Sequence, residues 1–198
     1  MKQKIAEEAA RLLTEAGTVD YGWARRKATQ RLGVSREREL PDMMMIETAF
    51  RNYQKLFRPQ DISCVAVQHE AAAEMMSWLE PFSPHLAGPL VRGISAPRAD
   101  ILIYVYADSP KELVFTLMEK QLVWESDDLL LDNQQPVQLF FVPHAGQQFR
   151  LLLLPLSSLR QPPVDEVTGR RDAGLNLKQL QNLVGNRPGD GVPATTPL

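Results

Sequence analysis

The 198-residue chain has one cysteine, three histidines and no long uninterrupted apolar run. Cys64 alone can form neither an intramolecular disulfide nor a cysteine-based zinc cage, so packing must hold the fold, and a reducing compartment suits it. His69, His85 and His144 are scattered, and the His-Glu-x-x-His spacing of a zinc helix is missing. No Gly-Lys-Ser/Thr run occurs, which excludes an ATP site built on a P-loop. No segment approaches the ~18 consecutive apolar residues of a membrane span. Met1 to Leu13 is charged and amphipathic, without a signal peptide's apolar block. A cytoplasmic protein without membrane contact is therefore expected.

What is present is enough apolar residue to bury a core, 44% of the chain, which argues against disorder throughout. The net charge of −2 argues against a strongly basic nucleic-acid binder, but the charge is unevenly spread. Residues 1–58 hold 12 Lys/Arg against 8 Asp/Glu, and the remainder holds 10 against 16. The densest basic run is Arg25, Arg26, Lys27, Arg31, Arg36 and Arg38. It can touch phosphate or an acidic partner, or be an ordinary solvated helix face.

Helical periodicity dominates the first 80 residues. Ile5, Ala9, Leu12 and Leu13 share a stripe that Gly17 ends, and Asp20 caps a second helix carrying Trp23, Ala24, Ala28 and Leu32 up to Gly33. Pro41-Asp42 starts a third, with Ile46, Phe50, Tyr53 and Phe57 on one face, stopped by Arg58-Pro59. Asp61 or Ser63 caps a fourth, whose stripe is Val65, His69, Ala72, Ala73, Met76 and Leu79. Beyond Pro84 the period changes. Ile101 to Tyr106 is apolar on both sides, as a central strand would be, and Asp108-Ser109-Pro110 opens a helix to about Gln121 with Leu113, Leu117 and Met118 inward. Further strands are expected at Val123 to Glu125 with Leu129 to Leu131, at Val137 to Val142, and at Phe149 to Leu154, separated by Pro136, Pro143 and Gly146. Leu175, Leu177, Leu180, Leu183 and Val184 describe a last short helix. The expected class is α+β: a helical segment over 1–80, a small mixed sheet with helices on one face over 81–185, and a disordered tail over 186–198.

The informative segment runs from Gly88 to Leu102, Gly-Pro-Leu-Val-Arg-Gly-Ile-Ser-Ala-Pro-Arg-Ala-Asp-Ile-Leu, a glycine-bearing turn leading into the buried strand. It resembles the signature of the DNA polymerase β-like nucleotidyltransferases, especially the minimal ones, in which Gly-Ser, Arg-Gly and Ser-Asp-x-Asp follow at fixed spacing. Gly88, Arg92, Gly93, Pro97 and Asp100 fall in register without a gap. In that motif glycines let the backbone approach a triphosphate, and carboxylates on the strand hold two divalent ions about 3.5–4 Å apart. The resemblance implies a nucleotidyltransferase-like fold, nucleotide binding by Gly88, Arg92 and Gly93, and Asp100 as the catalytic metal ligand for Mg²⁺.

The signature is incomplete. Leu102 stands where a second acid is wanted, Gln138 is the nearest candidate for the third, Pro89 replaces the serine after the first glycine, and Ala99 the serine before the acid. One carboxylate cannot hold two hard cations, so the expectation is a catalytically degenerate relative, with no working metal cofactor, that binds nucleotide, RNA or a protein partner. The alternative is an active enzyme moving a nucleoside monophosphate to RNA, a protein or a small acceptor, with Asp100 joined by acids from elsewhere. A third reading is an interaction protein whose basic helices and Met43, Met44 and Met45 meet another chain or a second copy.

The remaining candidates each have an ordinary reading. His69 reads as a satisfied core histidine, while His85 lies near enough to Gly88 to reach the pocket mouth. Cys64 reads as a small core residue without an activating partner. Asp127, Asp128 and Asp132 can supply the missing acids, or lie in a solvated turn.

Overall fold

Gly17 ends the first helix at a left-handed φ of 66°, a conformation that costs glycine nothing, and the chain turns back on itself there. In the computed structural model, which describes residues 1–34, 36–131 and 136–185, helices α1 (Lys2–Ala16), α2 (Tyr21–Arg31) and α3 (Met43–Phe57) pack around Ile5, Leu13, Ile46 and Phe50. Asp20 and Asp42 cap α2 and α3, each accepting a backbone N–H three residues on, from Trp23 and Met45, at 2.8 Å. Helix α4 (Cys64–Trp78) follows a 3-10 turn over Pro59–Ser63. Neither expected cap serves it: Ser63 makes no capping bond, and Asp61 is buried and paired with Arg58 at 3.4 Å.

The period change after Pro84 coincides with the start of the sheet. Strands β1 (His85–Ala87), β2 (Ile101–Tyr106), β3 (Glu125–Leu130), β4 (Pro136–His144), β5 (Gln147–Leu154) and β6 (Leu175–Asn176) form one sheet in the order β3-β4-β5-β2-β1-β6. Among the described residues only the β2–β5 pair is parallel, so the sheet is mixed. Helix α5 (Pro110–Glu119) links β2 to β3, and α6 (Leu177–Gly185) follows β6. The architecture is thus α+β, helices first and sheet after.

Side chains alternate across a strand, so each face has its own core. On the helix side, Ile101, Ile103 and Val105 of β2 meet Phe149, Leu151 and Leu153 of β5 beneath Met75 and Met76 of α4 and Leu113 and Leu117 of α5. The opposite face carries Tyr104, Tyr106, Leu139, Leu152 and Leu154. β2 is apolar on both sides because it lies inside the sheet with packed residues above and below.

Several local expectations need correction. Met118 is 61% exposed, because α5 shows the sheet only its Leu113 and Leu117 edge. Leu175 belongs to β6, not to the last helix, and Leu183 faces solvent. Pro143 lies inside β4. The β4–β5 hairpin turns instead at Ala145-Gly146, both at positive φ. Cys64 is only partly buried. The expected tail over 186–198 lies outside the described residues.

Candidate functional site

The chain leaves β1 through Gly88, whose φ of 74° and ψ of −160° suit glycine alone, enters a 3-10 turn over Pro89–Arg92, and exits through Gly93 at φ 70°. A Cβ on either glycine would meet nothing closer than Leu102 at 3.8 Å, so backbone conformation, and not crowding, demands them. The turn spends its donors on itself. Val91 N–H bonds the Gly88 carbonyl at 3.2 Å, Gly93 N–H that of Leu90 at 3.0 Å, and Ile94 N–H that of Pro89 at 3.1 Å. Pro89 has no N–H to add. A phosphate arriving here finds three of the turn's amides already bonded.

Arg92 is committed as well. Its guanidinium forks onto Glu47 of α3, Nε to Oε1 at 2.9 Å and Nη2 to Oε2 at 2.8 Å, while Nη1 reaches Asp165 at 3.1 Å. Burial works against the charge, but Glu47 and then Asp165 outweigh it and hold the guanidinium's pKa above its ordinary value. Asp165 also accepts the backbone N–H groups of Val167 and Thr168 at 3.1 and 2.8 Å. Burial alone would raise its carboxyl pKa, yet the Thr168 amide and Arg92 leave it below the usual carboxylate range.

The segment after Gly93 is tied down by two glutamines. Gln54 of α3 donates to the Ser95 carbonyl at 2.8 Å, and Gln68 of α4 donates to those of Ala96 and Ala99 at 3.3 Å and accepts from the Ser95 hydroxyl. Ile94, Ala96 and Ala99 are buried in the α1–α3 cluster. Glu47, Gln54, Gln68 and Asp165 were invisible as site residues in the sequence. The available signal was Glu47 and Gln54 flanking Phe50 on an otherwise apolar face of α3.

Asp100 enters β2 on the face that also bears Leu102, Tyr104 and Tyr106. It is solvent-exposed, yet nearby protein removes enough water to push its carboxyl up, while Arg150 pulls it down and Asp20 pushes it further up. Register identifies the neighbours. Leu102 lies opposite Arg150 of β5, which lies opposite Phe141 of β4, which lies opposite Glu125 of the edge strand. The position where the family pattern wants its second acid is therefore flanked by a cation, the partly buried Arg150, whose Nε is itself buried and without a hydrogen-bond partner.

Gln138 cannot serve as the third position either. It lies opposite Leu153, on the helix side of the sheet, and donates to Asp128 at 3.1 Å. On the Asp100 face β4 offers Val137, Leu139 and Phe141. Asp127 and Asp128 are successive residues of β3, pointing to opposite faces, and so form no single acidic group. Asp132 lies outside the described residues. Among the described residues no three His, Cys, Asp or Glu side chains converge as a metal site. A pair of Mg²⁺ ions therefore does not fit: beside Asp100 this face supplies a resident guanidinium, and its other strand carboxylates, Glu125 and Asp127, lie on the edge strand three strands away.

His69 is buried with Nε2 3.0 Å from the Leu90 carbonyl, as a core histidine should be. His85 lies opposite Tyr104, four residues along β2 from Asp100 or about 13 Å at strand rise, and its Nδ1 lies 2.8 Å from the Ser83 carbonyl, so it does not reach the mouth. His144 stacks edge-on against Trp78. Three of the six residues of the basic run have partners, Arg31 with Glu8 at 3.0 Å, Arg36 with Glu39 at 3.8 Å and Arg25 with the Pro41 carbonyl at 3.5 Å. Met43 and Met45 pack into the helical cluster, while Met44 is exposed. Beside the start of β2, an open cleft of about 480 Å³ lies between Pro97–Ala99 and the Pro143–Gln148 hairpin.

No protein-family model matches the chain, and no curated protein matches it. Among the described residues no helix is long and apolar enough to cross a membrane.

Proposed function

We propose that this chain is a nucleotidyltransferase-like scaffold that binds a nucleotide, an RNA end or a partner without metal-dependent transfer. The observation that carries the reading is Arg150, a guanidinium cross-strand from Leu102 on the face that bears Asp100. A fixed cation there repels Mg²⁺ and, without any metal, opposes the burial that raises the Asp100 carboxyl pKa. With Arg92 held by Glu47 and Asp165, the cations left to meet an anionic group are Arg150, on the Asp100 face, and Arg98, in the wall of the neighbouring cleft.

A second reading, an active metal-dependent enzyme transferring a nucleoside monophosphate to RNA, a protein or a small acceptor, draws on one observation. Asp20 lies close enough for its charge to raise the Asp100 pKa, so two carboxylates border the mouth. Calorimetric titration with each nucleoside triphosphate, with and without Mg²⁺, beside a labelled-transfer assay, separates the two. Binding that needs no Mg²⁺ and weakens in Arg150→Gln, without transfer, supports the first reading. Transfer that disappears in Asp100→Ala or Asp20→Asn overturns it.

A further inference from the structure

The cleft beside the start of β2 has a cation in its wall that is fixed in place by neutral groups. Arg98 reaches the C-terminal end of α1, where its Nε and Nη2 donate to the Ala16 carbonyl at 3.1 and 2.6 Å, and its backbone N–H donates to the Gly17 carbonyl at 2.8 Å. These side-chain bonds take one edge of the guanidinium. A guanidinium carries five N–H groups in a rigid fork, so Nη1 and the second hydrogen of Nη2 are left over, the edge that meets an oxyanion with two parallel bonds. No carboxylate among the described residues pairs with Arg98, and a helix-end carbonyl carries only a fraction of a charge. The cation is held still and left charged.

Across the cleft stand His144, Gln147 and Gln148 of the β4–β5 hairpin, and among the described residues that line it there is no acid. Its volume of about 480 Å³ lies in the range of small-ligand sites. Gln148 joins the cleft to the Asp100 face. It lies opposite Pro143 in register and two residues before Arg150 on the same face of β5, about 7 Å along the strand. Asp100 and Asp20 border the mouth on the other side, so an anion is repelled there and drawn to the Arg98 wall.

We propose that this cleft seats a terminal phosphate, carried by a nucleotide or by an RNA end, with Arg98 as its charged anchor and the Gln147 and Gln148 amides as further donors. This rests on the metal-independent binding proposed for the Asp100 face and adds where the ligand's charged end sits. A phosphate monoester brings a charge of about −1.5 to −2 and three acceptor oxygens, enough to take the open guanidinium edge and an amide of the hairpin. A carboxylate has one charge and two oxygens, and would leave the hairpin donors unused.

The test is titration of the full chain, without Mg²⁺, with each nucleoside monophosphate beside its nucleoside, and with an oligouridine RNA phosphorylated at either end beside its unphosphorylated form. Binding is followed through the backbone amide NMR signals of Ala145 to Gln148. The phosphorylated member of each pair is expected to bind about tenfold or more tightly and to shift those signals. Arg98→Gln should remove that advantage. Because Arg98 also holds the end of α1, Gln147→Glu is the second variant: it adds a carboxylate to the opposite wall, its side chain takes no part in the α1 contact, and it should weaken the phosphorylated ligands by a similar factor with native circular dichroism kept. An advantage for the monophosphates identifies a free nucleotide, and one for the phosphorylated RNA alone identifies an RNA end. Phosphorylated and plain ligands that bind alike, or a phosphate advantage that survives both variants, would overturn the assignment of the cleft and leave the binding role of the Asp100 face standing. Binding of none of these probes would overturn both.

Discussion

Arg92 lies in the glycine turn and Arg150 on β5, across β2 from β1, which leads into that turn, and their surroundings differ in the respects that decide function. Arg92 has a carboxylate fork on one side and a second carboxylate on the other, all within 3.2 Å, and it joins α3, the turn and the 160–170 segment into one junction. Arg150 lies in a row with Leu102 and Phe141, its Nε unpartnered, beside an exposed Asp100. A guanidinium whose donors are all engaged by buried acids is an architectural part, because a ligand must break those bonds to use it. One that no acid clamps is free of that cost. Motif register selects the first of these and is silent about the second.

The junction side is where damage should be largest. Glu47→Ala strands Arg92 partly buried with one partner left, and should destabilise the chain by about 3–5 kcal/mol in urea unfolding. A loss under about 1 kcal/mol would erase the contrast between the two arginines. Asp165→Asn keeps an oxygen for the Val167 and Thr168 amides but turns a neutral group toward Arg92, a loss of about 1.5–3 kcal/mol. The same residue predicts acid sensitivity. Its folded-state pKa lies below the ordinary carboxylate value, so its contribution is complete above about pH 4 and falls away as pH drops through the depressed value. Asp165→Asn should therefore flatten the loss of stability between pH 5 and pH 2 relative to wild type, and parallel curves would remove Asp165 from the clamp.

The fold could be read from the sequence where local physics decided it. Gly17 and the Asp20 and Asp42 caps announced their helices, and Ile101 to Tyr106 announced a central strand by being apolar on both sides. What could not be read was set by pairing. Gln138 looked like a substitute acid position by its place in the chain, but antiparallel register with Leu153 turns it to the helix side. Arg150 became a neighbour of Leu102 only through the one parallel pair in the sheet, which joins residues 48 apart. Arg92 looked like a phosphate ligand because nothing local reveals Glu47, 45 residues earlier, or Asp165, 73 later.

Smaller effects are expected on the open side. Arg150→Met removes no bonded Nε partner and leaves a chain that fits between Leu102 and Phe141, so unfolding stability should stay within about 1 kcal/mol of wild type or rise slightly. Its signature is electrostatic: without the guanidinium, the Asp100 carboxyl, already above its ordinary pKa, should titrate higher still in a carbon-13 NMR titration. A large destabilisation would mean that Arg150 is structural after all, and the two arginines would be alike.

The finest test of the comparison is Asp20→Asn. Asp20 has two roles, capping α2 through the Trp23 amide and adding negative charge near Asp100. Asparagine caps about as well as aspartate, so the change removes charge and leaves the cap, and stability should move by no more than about 0.5 kcal/mol. The Asp100 pKa should then fall, opposite in sign to the response to Arg150→Met, because a like charge has gone from the mouth. Opposite shifts from two nearly silent substitutions would identify Asp20, Asp100 and Arg150 as one electrostatic unit. No movement at Asp100 in either variant would leave burial as the sole cause of its raised pKa and dissolve the unit on which the proposed binding role depends.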